Sequence, residues 1–163
     1  MALAAPGVPH GTAVKFDGGT FSAHPQAMIA GAAFLRHLVE RADEIYPYLG
    51  ALGRMAREGI EQRLGAYNIP ARAAGDGGAV SSHSSIVAVH ILTEGSDRAR
   101  DAEQVYDPAR SDVELRDVIL KLAMLNEGFF IVHGYGALST AHTEHDVARS
   151  LDAMERIAAA LGN

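Results

Sequence analysis

DGGTFSAHPQAMIAG, residues 17–31, is the stretch around which the rest of the chain is organised. Its paired glycines accept backbone angles that other residues avoid, and they let a bulky group approach closely. Thr20 and Ser22 then offer hydroxyl and amide groups just ahead of Pro25, a residue that suits the first position of a helix. Because N–H groups that converge before a helix can hold an anion, the stretch predicts either a phosphate-binding turn or a plain turn that starts a helix.

The composition of the chain is that of a globular protein. It has 163 residues, 48% hydrophobic and 21% charged, which suits one domain with a sizeable core or a piece of a larger protein. A net charge of −6 without a Lys/Arg cluster argues against a nucleic-acid partner. The absence of cysteine excludes disulfides and thiolate metal sites. No signal peptide or bilayer-length apolar run is present, so we predict a cytoplasmic protein with no membrane partner.

Two neighbouring helices are predicted after the glycine-rich stretch. The first runs from Pro25 to about Val39, with Met28, Ala32, Leu35 and Val39 on one apolar stripe. The second starts near Pro47 and runs to Leu64, and Gly65 and Pro70 mark its exit. The residues predicted to face inward from the second helix are Leu49, Leu52, Ala56, Ile60 and Leu64.

Three strands are predicted between residues 71 and 133. Residues 71–74 form a short one, ahead of a Gly-Asp-Gly-Gly turn. Residues 86–92 (IVAVHIL) are β-branched and apolar on both faces, which predicts a strand interior to its sheet. Residues 129–133 (FFIVH) predict a further strand, and the charged, aperiodic residues 94–110 predict a solvated loop or an irregular excursion.

Two more helices are predicted from their capping residues. Ser111 and Glu114 read as a capping box, and Gly128 suits the left-handed residue that ends that helix. Its predicted inward residues are Leu115, Val118, Ile119, Leu122 and Leu125. Thr143 and Asp146 start the last helix, which runs to Leu161 with Val147, Leu151, Met154, Ala158 and Leu161 aligned.

The order of these elements is helix, helix, strands, helix, strand, helix. This order predicts an α+β fold of the α/β two-layer kind, in which a few-stranded sheet carries helices packed on one face.

Three separated stretches resemble class III pyridoxal-phosphate aminotransferases. Residues 19–31 resemble the G-T-x-S-x-[NH]-P-x-x-M-x-A-G signature of that family. Residues 115–131 resemble the helix and G-[VF]-x-[LIF] run before its last strand, and residues 138–147 (LSTAHTEHDV) resemble its [LF]-S-x-x-H-T-x-x-D-[IV] motif. Within the class, the chain is most similar to glutamate-1-semialdehyde aminomutase. Omega-aminotransferases usually place a carboxylate-binding arginine in a region corresponding to residues 127–148, which contain none.

The resemblance implies the small C-terminal domain of a fold-type I aminotransferase. Residues 1–24 would be the interdomain segment that contacts the cofactor phosphate, and residues 25–163 would be the small domain. Thr20, with the amides near Gly19, would bind the phosphate of pyridoxal 5′-phosphate in the neighbouring subunit's site. The implied partners are a second copy of the chain or a separate N-terminal large domain, and the implied substrate of the complete enzyme is a small amino acid or semialdehyde.

The resemblance also implies a lysine that this sequence does not supply. Transamination needs a lysine to hold the cofactor covalently and to move a proton between carbons. The family places that lysine further upstream of the Gly-Thr pair than Met1. Lys15 lies too close to Thr20, and Lys121 reads as the solvated face of a helix. The resemblance therefore predicts no catalytic residue here, and a chain that is inactive alone.

Two other classes of function stay open. One is a non-catalytic module that dimerises through its apolar surface. The other is a small metal protein or hydrolase. For the metal protein the candidate zinc ligands are His133, His142 and His145, although the resemblance explains His142 as part of a turn and His145 as surface.

Two further histidines are candidate functional groups. His83 lies among Ser81, Ser82, Ser84 and Ser85, which suggests a Ser–His pair, but no carboxylate is placed to orient it. His90 lies on the apolar strand and is predicted to be a core histidine with a satisfied hydrogen bond. No metal ligand is predicted from any of these residues.

Overall fold

The computed structural model describes residues 24–76, 83–93, 102–132, 134 and 136–162, together with the backbone at 2–3 and 14–15. The chain divides into two compact units, Met1–Ala42 and Asp43–Asn163. The first unit contains strands β1 (Ala2–Leu3) and β2 (Val14–Lys15), which form an antiparallel ladder, and helix α1 (Pro25–Glu40).

Helix α1 begins at the predicted proline. Pro25 lies in its first turn, after His24 as the N-cap residue, and no side chain of the helix is buried. Met28, Leu35 and Val39 lie on one side of the helix, as predicted, and are between 62% and 78% exposed. The predicted apolar stripe is therefore present and exposed.

The second unit combines helices with a three-stranded antiparallel sheet. Its elements are α2 (Ala42–Gly65), β3 (Ala71–Ala74), β4 (Ile86–Ile91), α3 (Ala102–Tyr106), α4 (Leu120–Asn126), β5 (Gly136–Ala137) and α5 (Glu144–Leu161). The strand order is β3-β4-β5, so β4 is central, as its apolar sequence predicts. Ala71 pairs with Ile91 and Ile86 pairs with Ala137. The architecture is mixed α+β, and no described helix is long and apolar enough to cross a membrane.

Helix α2 begins earlier than predicted. It starts at Ala42, so Pro47 lies inside the helix instead of at its start. Asp43 and Glu44 stand in the first turn, where negative charge is favoured by the helix dipole. The predicted end is confirmed, and the left-handed residue of the exit is Asn68, whose φ is 59°.

The core lies between the sheet, α2 and α5. Val87, Val89 and Ile91, at alternate positions of β4, are at most 2% exposed. They share one buried cluster with Leu52, Ala56, Ile60 and Leu64 of α2 and with Val147, Leu151, Met154 and Ala158 of α5. Gly59 lets α2 and α5 approach closely, because an added Cβ would lie 2.4 Å from Cδ1 of Leu151. Leu161, which was predicted to face inward, is 41% exposed.

The predicted inward face of the helix before Gly128 is wrong for four of its five residues, while Leu115 is partly buried and packs against the core as predicted. Val118, Ile119, Leu122 and Leu125 are 41–60% exposed, whereas Arg116, Leu120 and Met124 are buried. A π-helical turn (Leu115–Ile119) precedes α4, and the Leu120 N–H donates to the carbonyl of Leu115, five residues earlier. Because a π turn holds one more residue than an α turn, it changes which side of the helix faces the core.

The start of this helix is also one residue later than predicted. The carboxylate of Asp112 accepts the Leu115 N–H at 2.9 Å, so Asp112 provides the cap. The Ser111 hydroxyl donates instead to the carbonyl of Gln104 at 3.3 Å. Gly128 has a φ of +87°, which confirms the predicted left-handed end.

The predicted strand over 129–133 does not form a ladder in its described part. Phe129, Phe130 and Ile131 have no regular structure, Val132 forms a single bridge, and His133 lies outside the described residues. The third strand is β5, inside the segment predicted as a turn. Gly134 has a φ of +98°, and a Cβ there would lie 3.0 Å from the Val89 carbonyl oxygen. This close approach to β4 explains why glycine interrupts the extended run. Part of the predicted 94–110 loop is also helical, as α3.

Candidate functional site at the start of the last helix

The turn before α5 is held by its own side chains. The Ser139 N–H donates to Nδ1 of His142 at 3.0 Å, and the Ser139 hydroxyl lies 3.0 Å from the same nitrogen. Because Nδ1 accepts an amide proton, a neutral His142 carries its own proton on Nε2. The hydroxyl of Tyr48, from α2, donates to the His142 carbonyl at 2.7 Å. These bonds fix the turn against α2.

A capping box follows this turn, as predicted. The Asp146 N–H donates to Oγ1 of Thr143 at 3.2 Å, and the Thr143 N–H donates to Oδ2 of Asp146 at 2.9 Å. The Thr143 hydroxyl lies 2.8 Å from the same oxygen. The backbone and hydroxyl bonds from Thr143 lower the pKa of Asp146, so the carboxylate stays ionised near neutral pH.

A cavity of about 150 Å³ opens beside this turn. The residues that line it most deeply are Met124, Ile131, Val147 and Ser150, each at most 5% exposed. Its walls are Phe129, Phe130, Ala137 and Leu138, and its polar residues are His142 and Asp146. The Ser150 hydroxyl donates to the Val147 carbonyl at 2.7 Å, so this proton is engaged and the floor is effectively apolar.

A second cluster of polar groups surrounds Arg116, which is 4% exposed. Its Nε and Nη2 donate to the two carboxylate oxygens of Asp117, both at 2.7 Å, and its guanidinium carbon lies 5.3 Å from the centre of the Tyr106 ring. The hydrogen bonds to Asp117 raise the pKa of Arg116 above its usual value.

His90 of β4 lies close enough to Arg116 for the guanidinium charge to affect its pKa. Burial, and secondarily the charge of Arg116, lower the pKa of His90. Its Nδ1 is buried and has no hydrogen-bond partner among the described residues. The prediction of a satisfied core histidine is therefore wrong for Nδ1.

Arg57 of α2 is a buried residue that the sequence reasoning missed. Its Nη1 donates to the carbonyls of Ser84 at 3.1 Å and Ile86 at 2.8 Å, and Nη2 lies 3.9 Å from Asp76. Gly53 lies beside this contact, since a Cβ there would be 2.3 Å from the Ser84 carbonyl oxygen. The available signal was the inward register that Gly53 and Arg57 share with Leu52 and Ala56 on α2.

The predicted cofactor-binding residues, Gly19 and Thr20, lie outside the described residues, so this assignment stays a prediction. His133 of the candidate zinc set lies outside them as well. Within the part of the chain that the structure describes, no group of three His, Cys, Asp or Glu residues is placed to hold a metal ion. In the serine-rich loop, the Ser84 hydroxyl accepts the Ile86 N–H at 3.1 Å.

Comparison with known proteins identifies relatives of the chain, although no protein-family model matches it. Glutamate-1-semialdehyde 2,1-aminomutase of Thermus thermophilus is 33% identical over 142 residues, which are 85% of this chain and 30% of that protein. The chain is a relative of the glutamate-1-semialdehyde 2,1-aminomutases. An aminomutase of Geobacillus kaustophilus is 30% identical over 165 residues, 99% of this chain and 33% of its own length. One from Staphylococcus carnosus is 28% identical over 144 residues, 86% of this chain and 30% of its own.

The resemblance inferred from the motifs is therefore confirmed. The chain spans about a third of the length of the aminomutases it matches, which is consistent with the predicted C-terminal portion. The S-x-x-H-T motif, residues 139–143, has a structural role that the geometry makes visible. Its serine and histidine bond to each other, and its threonine caps α5.

Proposed function

We propose that the chain forms the small C-terminal domain of an aminomutase-like enzyme that uses pyridoxal 5′-phosphate. The observation that carries the proposal is the 33% identity to the Thermus thermophilus aminomutase, which extends over 85% of this chain and 30% of that enzyme. When bound, the cofactor supplies the electron sink that lets an amino group move between carbons of a substrate. The proposed substrate is a small amino acid or semialdehyde, and the proposed location is the cytoplasm.

In this proposal the chain's own residues bind and position, and do not carry out proton transfer. Thr20 and the amides near Gly19 hold the cofactor phosphate, an assignment supported by the motif at residues 19–31. Ser139, His142 and Thr143 hold α5 in place through the bonds described above. The lysine that binds the cofactor covalently lies outside these residues, in a large domain that pairs with them.

Titration of the purified chain with pyridoxal 5′-phosphate, followed by borohydride reduction and peptide mass analysis, tests the absence of a functional lysine. We expect that neither Lys15 nor Lys121 is labelled with one equivalent of cofactor per chain. Stoichiometric labelling of Lys15 would show that the chain carries its own functional lysine and would overturn this part of the proposal.

The phosphate contact is tested in a complex of the chain with a lysine-bearing large domain, such as that of the Thermus thermophilus aminomutase. Thr20→Val removes a hydrogen bond to a charged group and should weaken cofactor binding about tenfold or more. Thr12→Val, in the same segment, is the matched control and should leave the affinity unchanged. Equal affinities for the Thr20 and Thr12 variants would contradict the assignment, and a large domain that binds cofactor without any contribution from this chain would contradict the proposed partnership.

The exposed apolar side of the π turn and α4 favours a second candidate, a module that dimerises with another copy of itself. Val118, Leu122 and Leu125 project from one side of this helix and are 50–60% exposed. Leu122→Glu should convert a dimer to a monomer in sedimentation velocity, while Asn126→Glu, an exposed change on the same helix, should not. A monomeric parent chain at concentrations of about 100 µM would exclude a dimer with the strength of a specific interface.

A further inference from the structure

The cavity beside the turn before α5 has the size of one small ring. Its volume is about 150 Å³, and an apolar cavity of about that size in another protein binds benzene. The four residues that line it most deeply are fixed by the core, because Met124, Ile131, Val147 and Ser150 are at most 5% exposed. The floor of the cavity is therefore preformed, and an entering ring would contact packed apolar groups.

Two polar groups of the cavity have unused bonding capacity. Nδ1 of His142 accepts the Ser139 N–H, so the ring presents a proton on Nε2, which makes no hydrogen bond to a described residue. The bonds from Thr143 to Asp146 all reach Oδ2, and Oδ1 accepts none from the described residues. The lining thus offers one donor and one acceptor in an otherwise apolar pocket.

We propose that this cavity is a binding site for an uncharged phenol-type molecule, a single aromatic ring that carries one hydroxyl group. The ring fills the apolar space between Phe129 and Leu138, and its hydroxyl accepts from His142 and donates to Asp146. A charged ligand is disfavoured because the apolar floor has no group to compensate its desolvation. The proposal does not depend on the aminomutase-like function, since it involves only residues of this unit.

The first test follows the methyl resonance of Met124 in the full chain, labelled with ¹³C at its methionine methyl groups. Phenol should shift this resonance with saturation at about 1 mM, the affinity expected for a ligand of so few atoms. Ala137→Leu adds two carbons beyond Cβ to the cavity wall and should abolish the shift. Ala74→Leu, a change at an exposed alanine of β3, should preserve it.

The second test separates the polar contact from the ring. His142→Asn keeps an acceptor for the Ser139 N–H and removes Nε2. It should weaken phenol binding roughly fivefold, the value of one neutral hydrogen bond, and change toluene binding by less than twofold. An unperturbed Met124 resonance at saturating phenol, or a shift that persists in the Ala137→Leu variant, would overturn the site. Equal effects of His142→Asn on phenol and toluene would overturn the assigned hydrogen bond.

Discussion

Gly53→Ala changes the free energy of unfolding through two opposing effects, a gain in helix propensity and a steric clash. In an isolated helix the change is favourable by about 1 kcal/mol, because alanine loses less backbone entropy than glycine. In this fold the new Cβ would lie 2.3 Å from the Ser84 carbonyl oxygen and 2.9 Å from Nη1 of Arg57. A carbon and an oxygen approach to only about 3.3 Å, so the loop before β4 must retreat by roughly 1 Å.

The retreat has a cost that exceeds the gain in helix propensity. Overpacking alone costs about 1–3 kcal/mol. Moving the Ser84 carbonyl also breaks its bond to the buried guanidinium of Arg57, and a bond to a charged group contributes about 1.5–3 kcal/mol. After the gain in helix propensity is subtracted, we expect a net loss of about 3 kcal/mol in the free energy of unfolding.

Urea denaturation followed by circular dichroism measures this difference. The matched control is Gly65→Ala at the end of the same helix, where an added Cβ has no atom within 4 Å, and this variant should be unchanged or more stable by up to about 1 kcal/mol. In an Arg57→Met background the penalty of Gly53→Ala should shrink, because the two changes disrupt one shared contact. If Gly53→Ala proves as stable as the parent protein, the close packing of α2 on this loop is refuted.

Three further predictions concern the second unit. Thr143→Ala should lower the free energy of unfolding by about 1 kcal/mol through loss of the α5 cap, and Thr140→Ala, an exposed change in the same turn, should leave it within about 0.5 kcal/mol. The lowered pKa of His90 means that the unfolded chain binds more protons below pH 6.5. The contribution of His90 to the free energy of unfolding should therefore be fully present above that pH and should be lost as the pH falls below it. In urea titrations between pH 5 and 7, His90→Gln should make the free energy of unfolding depend less on pH. Arg116→Met should raise the pKa of His90 in an NMR titration but leave it depressed, since burial is the larger cause; no change in that pKa would contradict the proximity of the two groups.

The elements that the sequence predicted well are those whose signal is local. Pro25 starts α1, Gly128 ends α4, and Thr143 with Asp146 caps α5, because each of these depends on a backbone position and its nearest neighbours. The apolar, β-branched run of β4 likewise predicted a central strand, and β4 lies between β3 and β5.

The errors arose where distant contacts decide the outcome. A helical period cannot reveal a π turn, so it predicts Val118 and Leu122 on the inward side, where the structure has Arg116 and Leu120. The aromatic run at 129–131 has strand propensity, but Gly134 and the backbone of Val89 determine where the chain joins the sheet. Propensity is overridden in both cases by packing that a local pattern does not contain.

The candidate site was predictable in its turn and not in its cavity. The S-x-x-H-T motif marked His142, and the structure explains why a histidine suits that place, since its Nδ1 accepts the Ser139 N–H. The cavity is formed by residues from four separate segments, including Met124 and Ser150. No spacing in the sequence indicates that these side chains meet around an unfilled volume.

The extra residue in the helix between Leu115 and Ile119 has a consequence for how this chain tolerates changes in length. Removing one residue there would restore regular i to i−4 bonding without breaking the helix, so the backbone itself would accept the deletion. The same deletion would rotate the residues before it relative to α4. It would thereby move the guanidinium of Arg116 away from its buried position next to the Tyr106 ring. A deletion at this point would therefore leave the helix content unchanged and would alter only the packing of the core.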